Sequence, residues 1–372
     1  MFKTASTLAC LLALVMGCTT DTRRVSESRP PDWESPENRI PSLEPAPAPE
    51  VAVAAPPIAP AAPRAHPPRA TAPELTWISL ARWSAQHGWG EPHRLSASPV
   101  TTYALLTTNG ALVVQVGSLA AYWDRLELRL GFVPQLIGNQ VFLHALDLRK
   151  NVEPLVRGFT GVPRTNRVIV IDPGHGGADP GARSAADGRW EKDFTLDWAR
   201  RLAPLLAQRG WQPFLTRNHD GDVSLSDRVA LADARGADLF LSLHFNTSGG
   251  AHEQAGLETY CLTPTGMRSS LTRGYDDDPT EVLPNNAFDA ENLQWAMRLH
   301  AALLSVDGVK DRGVRRARFL GVLRTQKRPA VLIEGGFLSN PAEAQRIADP
   351  AFRQRLAEAL ARALETKLED GR

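Results

Sequence analysis

Residues 168–182 read VIVIDPGHGGADPGA, and no other stretch of this chain constrains its architecture as far. Val168 to Ile171 are four branched apolar residues in a row, the mark of a buried strand. Pro173, Gly174, Gly176 and Gly177 forbid its continuation. His175 therefore sits on a tight turn at the carboxyl end of a strand, where α/β sheets gather their chemistry. Taken alone, such a histidine reads as structural, so the remaining residues have to decide its role.

Beyond Arg167 the pattern alternates. Strands are predicted at Val168–Asp172, Gln212–Thr216, Leu239–His244, Leu257–Leu262, Phe319–Leu323 and Ala330–Glu334, with helices between them. One helix runs over Glu191–Arg209, with Phe194, Trp198, Leu202, Leu205 and Leu206 on one side and Pro204 expected to kink or split it. Another covers Asn292–Ser305. A last one starts with Asn340 as cap, Pro341 and Glu343, and carries Ile347, Phe352, Leu356, Leu360 and Leu364 as its stripe. Residues 163–368 thus read as an α/β domain, a twisted and mostly parallel sheet with helices on both faces.

The first seventy-odd residues differ sharply. Lys3 followed by an apolar Leu8–Met16 is an export signal, too short to span a bilayer as a stable helix. It ends Leu14-Val15-Met16-Gly17-Cys18, which resembles a lipoprotein signal over residues 1–18, with Cys18 as the acylated residue. Thr19, rather than aspartate, follows it; in a Gram-negative cell this implies the periplasmic face of the outer membrane. A soluble periplasmic or secreted protein is the alternative. Of three cysteines, Cys10 would leave with the signal and Cys18 would carry lipid, so Cys261 remains alone and no disulfide framework exists. Fourteen prolines between Pro30 and Pro73 make residues 19–74 a Pro/Ala-rich disordered tether, of which the 44 residues from Pro30 to Pro73 alone could reach on the order of 130 Å.

Residues 75–157 read as a small α+β module. Leu75–Trp89 has helical spacing, and Tyr103–Leu106 and Ala111–Val114 flank a turn containing Asn109-Gly110, a hairpin signal. Strand-like pieces follow at Leu126–Leu130 and Val141–Leu143, then a helical stretch from Asp147 to Val156. The span resembles the small copper-amine-oxidase-type module attached to bacterial wall enzymes, departing from it at Trp123-Asp124. His87, His93 and His144 are scattered, so the likeness implies no copper, and they read as surface or packing residues. A formal charge of +1 gives no reason to expect nucleic acid as a partner.

Three further side chains stand at element ends. Glu191 opens a helix in WEKD, His244 closes LFLSLH, and Glu334 closes AVLIE. If their strands are parallel neighbours, His175, His244 and Glu334 emerge at one sheet edge, the crevice where such folds bind ligands. Each has a plain reading: an acidic residue favoured at a helix start, or a strand-end histidine satisfied by backbone. Glu334 resists it, because a carboxylate after four apolar residues is costly to bury without a partner. Two imidazoles and a carboxylate bind zinc while leaving a position open for water. A second carboxylate then remains to handle protons.

In these residues the chain resembles the zinc-dependent N-acetylmuramoyl-L-alanine amidases of the cell-division type. The likeness covers roughly residues 167–366 and rests on an ordered set: IDPGHGGADPGA, WEKDFTL, LSDRVALADARGADLFLSLHFN, GLETY and RGVRRARFLGVLRTQKRPAVLIEGGFLSN. It implies His175, Glu191 and His244 as zinc ligands and Glu334 as the catalytic carboxylate. The bond implied joins the lactyl group of N-acetylmuramic acid to L-alanine of the peptidoglycan stem peptide. By the same likeness Asp172, Arg228 and Asn246 lie near the site, where the first two read as supports for the ligating histidines. His219, His252 and His300 read as surface or packing residues. Relatives often carry a regulatory helix, displaced by a protein activator, where this chain has 264–290; that segment is rich in aspartate and proline and reads as a substrate-lining loop. Two alternatives stand beside the amidase: a zinc hydrolase cutting within the stem peptide, and a non-catalytic wall-binding lipoprotein. No ligand has been lost, as the latter would require.

Overall fold

The computed structural model describes residues 77–159, 167–248 and 252–365. Residues 1–18, Cys18 among them, and the tether at 19–74 lie outside the described residues. Among the described residues no helix is long and apolar enough to cross a membrane.

The N-terminal segment contains β1 (Trp77–Ser79), α1 (Leu80–Gln86), β2 (His93–Ser96), β3 (Thr102–Leu106), β4 (Ala111–Gln115), β5 (Ala120–Trp123), β6 (Leu126–Arg129), β7 (Gln135–Ile137) and β8 (Gln140–His144). The turn with Asn109 and Gly110 does join a hairpin, β3 against β4. The helical stretch expected from Asp147 is three short pieces: α2 (Ala145–Asp147), a π turn at Leu148–Val152, and α3 (Glu153–Val156). Part of the cause is Pro154 at the start of α3, whose missing N–H breaks the helical ladder. The helix expected over Leu75–Trp89 is shorter, because Trp77–Ser79 pairs with β8 as a strand and Ser79 then caps α1.

The C-terminal part runs β9 (Val168–Pro173), α4 (Glu191–Ala207), β10 (Gln212–Leu215), α5 (Leu225–Ala234), β11 (Leu239–Asn246), β12 (Leu257–Cys261), α6 (Asp289–Leu304), β13 (Asp311–Arg316), α7 (Gly321–Arg324), β14 (Ala330–Phe337), α8 (Pro341–Ala348) and α9 (Pro350–Ala363). Strands β10, β9, β11 and β14 are parallel neighbours; β12 is antiparallel to β14, and β13 is parallel to β12. The sheet is mixed, with helices on both faces. Alternate residues point to opposite sides. Ile169, Ile171, Leu241 and Leu243 join a core with residues of α4, α6 and α9. Val168, Val170, Phe240 and Leu332 join a smaller one with residues of α5 and α7.

Three expectations change. Phe319–Leu323 is no strand: the strand is β13, earlier in the chain, and Phe319 and Leu320 pack against the smaller core. Its charged sequence, Asp311-Arg312-Gly313-Val314-Arg315-Arg316, hides a strand from any apolar pattern. Pro204 lies inside α4 without dividing it. The last helix divides at Asp349-Pro350, where Asp349 caps α9 with Pro350 in its first turn.

The segment read as a separate module continues the catalytic sheet. Strand β6 pairs parallel with β13, Leu128 beside Val314, extending one sheet to eleven strands. The side chains agree with that junction: Lys150 pairs with Asp289 at 2.9 Å, Gln294 donates to the carbonyls of Pro154 and Gly158, and buried Arg316 reaches Asn151. Leu128, Leu148 and Val152 belong to the same core as Leu293 and Val314. We therefore expect a single cooperative transition for the described residues from 77 to 365. Leu128→Ala should lower its unfolding free energy by about 2–5 kcal/mol, with tryptophan fluorescence and far-ultraviolet dichroism shifting together in urea.

Candidate metal centre

The parallel register of β11 and β14 sets His244 directly beside Glu334. Both belong to the face covered by the short helices α5 and α7. His175 arrives from β9 by a different device. The chain turns at Gly174, and His175 itself takes a positive φ of 62°. A side chain at Gly174 is excluded, since its Cβ would stand 2.1 Å from Cε1 of His244. Only glycine lets the backbone pass so close to that imidazole. Gly181 is alike: with φ of 68°, its Cβ would fall 2.7 Å from Oε2 of Glu191.

A buried ion pair holds this turn. Asp172 accepts hydrogen bonds from Thr216 at 2.6 Å, Ser242 at 2.7 Å and Arg228 at 2.5 Å. Arg228 also donates to the carbonyls of Pro173 and His175, at 2.9 and 2.8 Å. Arg217, also buried, gathers the carbonyls of Pro173, Gly174 and Lys192. Burial pushes the Asp172 carboxyl up, but Arg228 and the two hydroxyls more than offset it, so it is held below the ordinary range. Asp172 and Arg228 thus support the histidine turn without meeting the histidine rings.

Glu191 projects from the first turn of α4. Its Oε1 accepts the Phe245 backbone N–H at 3.0 Å and lies 3.0 Å from Nδ1 of His244 and 3.1 Å from Nε2 of His175. Its Oε2 accepts the N–H of Ala182 at 2.9 Å. The other His175 nitrogen, Nδ1, meets Asp179 at 2.8 Å. One ligating atom from each of His175, Glu191 and His244 lies within 4.8 Å of the others. Burial raises the Glu191 carboxyl, yet its two imidazole neighbours bring it well below the usual range. Burial lowers His175, yet Glu191 and Asp179 raise it to about 9. The two carboxylates that hold a proton on His175 would equally favour a cation at the point where three donors converge. The donor set, two imidazoles and a carboxylate, suits zinc.

Glu334 is different in kind. It is buried, and Oε2 has no hydrogen-bond partner among the described residues. Burial, added to by Glu191 and Glu258 and opposed by His244 and Arg273, pushes its carboxyl up to about 7. An acid so held is poised to exchange protons near neutrality.

Of the remaining candidates, Asn246 donates to Glu258 at 2.9 Å and accepts from Arg273 at 3.1 Å, two residues beyond His244. His300 is fully buried between Thr259 and Asp311, and His144 is buried against Phe132, whereas His87, His93, His219 and His252 are exposed. Within 264–290 the helical parts are a 3-10 turn at Pro284–Phe288 and the opening of α6. The segment is tied down by fully buried Arg318, which donates to Asp277 and to the carbonyls of Pro264 and Met267, each at 2.7 Å. The sequence reading missed Arg217, Asp179, Arg273 and Glu258. Asp179, inside the glycine-rich turn, and Glu258, inside GLETY, had a signal there.

The model of the N-acetylmuramoyl-L-alanine amidase family matches residues 169–366. The chain belongs to that family. N-acetylmuramoyl-L-alanine amidase AmiA of Escherichia coli (strain K12) is 31% identical over 216 residues, covering 52% of this chain and 74% of that protein. AmiC of Neisseria meningitidis serogroup B is 33% identical over 242 residues, covering 58% of this chain and 55% of that one. Among solved structures, the N-acetylmuramoyl-L-alanine amidase from Clostridium difficile 630 is 30% identical, with a TM-score of 0.46, over 56% of this chain and 100% of that chain. All of the site residues described above fall inside the matched amidase region.

Two outcomes follow for this amidase. In metal-free protein the raised Glu334 carboxyl favours folding at low pH, an effect complete below its ordinary 4.5 and lost as pH rises through about 7. Glu334→Gln should therefore stabilise the metal-free protein by about 3 kcal/mol at pH 8 and little at pH 4, measured by urea denaturation. Excision of 268–286 would leave the buried Arg318 charge without Asp277, at about 3–5 kcal/mol. Basal hydrolysis should then fall with melting temperature; a rise would mark the segment as an inhibitory plug.

Proposed function

We propose that His175, Glu191 and His244 hold a zinc ion and that Glu334 is the catalytic carboxylate of this N-acetylmuramoyl-L-alanine amidase. The reaction is hydrolysis of the amide between the lactyl group of N-acetylmuramic acid and L-alanine in peptidoglycan. The observation that carries the residue roles is the buried Oε2 of Glu334, partnerless and in register with His244, beside a convergent two-histidine, one-carboxylate set. Zinc, when bound, would supply a Lewis acid and a water acidified toward neutrality.

The chain's own groups do the rest. Glu191, fixed by the backbone N–H groups of Phe245 and Ala182, keeps its carboxylate aimed between the imidazoles. Asp179 accepts from Nδ1 of His175 and so presents Nε2 to the site. Glu334 takes the proton of the attacking water on Oε2. It then gives that proton to the departing amine of L-alanine, which leaves as a neutral group. The same carboxyl thus serves as base toward the water and then as acid toward the amine.

We further propose that Cys18 carries a lipid and that residues 19–74 tether the enzyme to the periplasmic face of the outer membrane. The sequence of the signal supports this, and a palmitate label retained by the chain and lost in Cys18→Ala would test it.

Incubation with purified sacculi should release intact stem peptides, identified by mass spectrometry. A chelator should abolish release and added zinc restore it; fragments cut within the peptide would contradict the bond assigned. Glu334→Gln should keep one metal per chain while losing 10²–10⁴-fold in kcat. His244→Ala should lose metal by elemental analysis, and activity with it.

A further inference from the structure

Beside the metal centre lies a second concavity of about 430 Å³, lined by Asn246, Glu258, Tyr260, Arg273, Arg312 and Arg315 among others. It is continuous with the catalytic edge. Asn246 is two residues beyond His244 on β11, and Glu258 of β12 stands opposite Glu334 of β14 in the antiparallel register. Three guanidinium groups reach it from two parts of the chain: Arg273 from the 264–290 segment, Arg312 and Arg315 from β13.

Each arginine is oriented at one edge. Nε of Arg312 donates to Oε1 of Glu258 at 3.0 Å, and its plane lies over the Phe337 ring at 5.0 Å. Arg315 pairs with Glu127 of β6 at 3.4 Å. Arg273 donates through Nη2 to Asn246 at 3.1 Å and lies over Phe319. Glu258 is buried and already accepts from Asn246, the Tyr260 hydroxyl and Arg312, so it fixes the wall. Three cations face two carboxylates, leaving the cavity net positive. A guanidinium carries five donors in a rigid fork suited to carboxylate, and one or two contacts do not exhaust it.

The substrate has carboxylates on only one side of its scissile bond. The carboxyl group of muramic acid is consumed in the amide itself, and the N-acetylated sugars are neutral. Remaining anionic groups belong to the peptide, on acidic side chains or at its terminus. We infer that this cavity is the subsite for the peptide half of the substrate, with Arg273, Arg312 and Arg315 recognising a peptide carboxylate. The inference rests on the amidase reading above and adds to it a direction: glycan away from β13, peptide along it. It also gives the 264–290 segment a role, as the carrier of Arg273.

The test uses the full chain with zinc and three soluble muramoyl peptides: the free acid, one amidated at the free carboxyl of the acidic residue after L-alanine, and one amidated at the peptide terminus. Wild type should prefer the free acid over one of the amidated peptides by tenfold or more in kcat/KM, mainly through KM, and the arm that loses identifies the carboxylate. Arg273→Gln and Arg315→Gln should each shrink that preference at least threefold, and together bring it near one. Arg312→Gln is the less secure variant, because it leaves Glu258 buried with one partner fewer. A wild type indifferent to amidation, or a preference unchanged in both of the first two variants, would overturn the subsite. A wild type that cleaves none of the three would overturn the reaction and the subsite with it.

Discussion

The contact between Asp172 and Arg228 is the constraint on which the site depends. Without it the four apolar residues of β9 would end in a glycine-rich loop with no fixed course. Arg228 turns one charge into three anchors: a carboxylate beneath the turn and two carbonyls within it. Arg217 repeats the arrangement from β10's end. Two buried arginines in one small volume repel each other, and Arg217 is held below the ordinary arginine range by burial and by Arg228. The turn's carbonyls and Asp172 are what make that crowding tolerable. His175 thus owes its position to charges that never meet its ring.

The sheet could be read from the sequence because its buried strands are apolar on both faces, and the same strands end in the residues that carry chemistry. His175, Glu191, His244 and Glu334 were legible for that reason, each a polar residue where a hydrophobic run or a helix begins or ends. Strand β13 was not legible. Its arginines are paired with Glu258, Glu127, Asn151 and main-chain carbonyls, all distant in the chain, so a charged strand in the middle of a sheet has no local signature. Arg217 and Arg318 escaped notice for the same reason. A buried arginine looks like any surface arginine until its carbonyl partners are known.

The joining of β6 to β13 was equally invisible. A short strand, Leu-Glu-Leu-Arg, says nothing of what lies on its far side. Yet Glu127 on β6 pairs with Arg315 on β13, so the N-terminal segment reaches to within one residue of the cavity wall. What reads as an accessory module is structurally part of the edge of the enzyme.

The close passage of Gly174 under the His244 ring has a consequence for reading relatives of this chain. A silent descendant is usually sought by its missing ligand. Here a single methyl group at residue 174 would displace His244 while His175, Glu191, His244 and Glu334 all stayed in the sequence. A chain could then keep all four of these residues and lose the arrangement that brings them together. Whether such a sequence encodes an enzyme is written in a residue without a side chain as much as in the side chains that converge beside it.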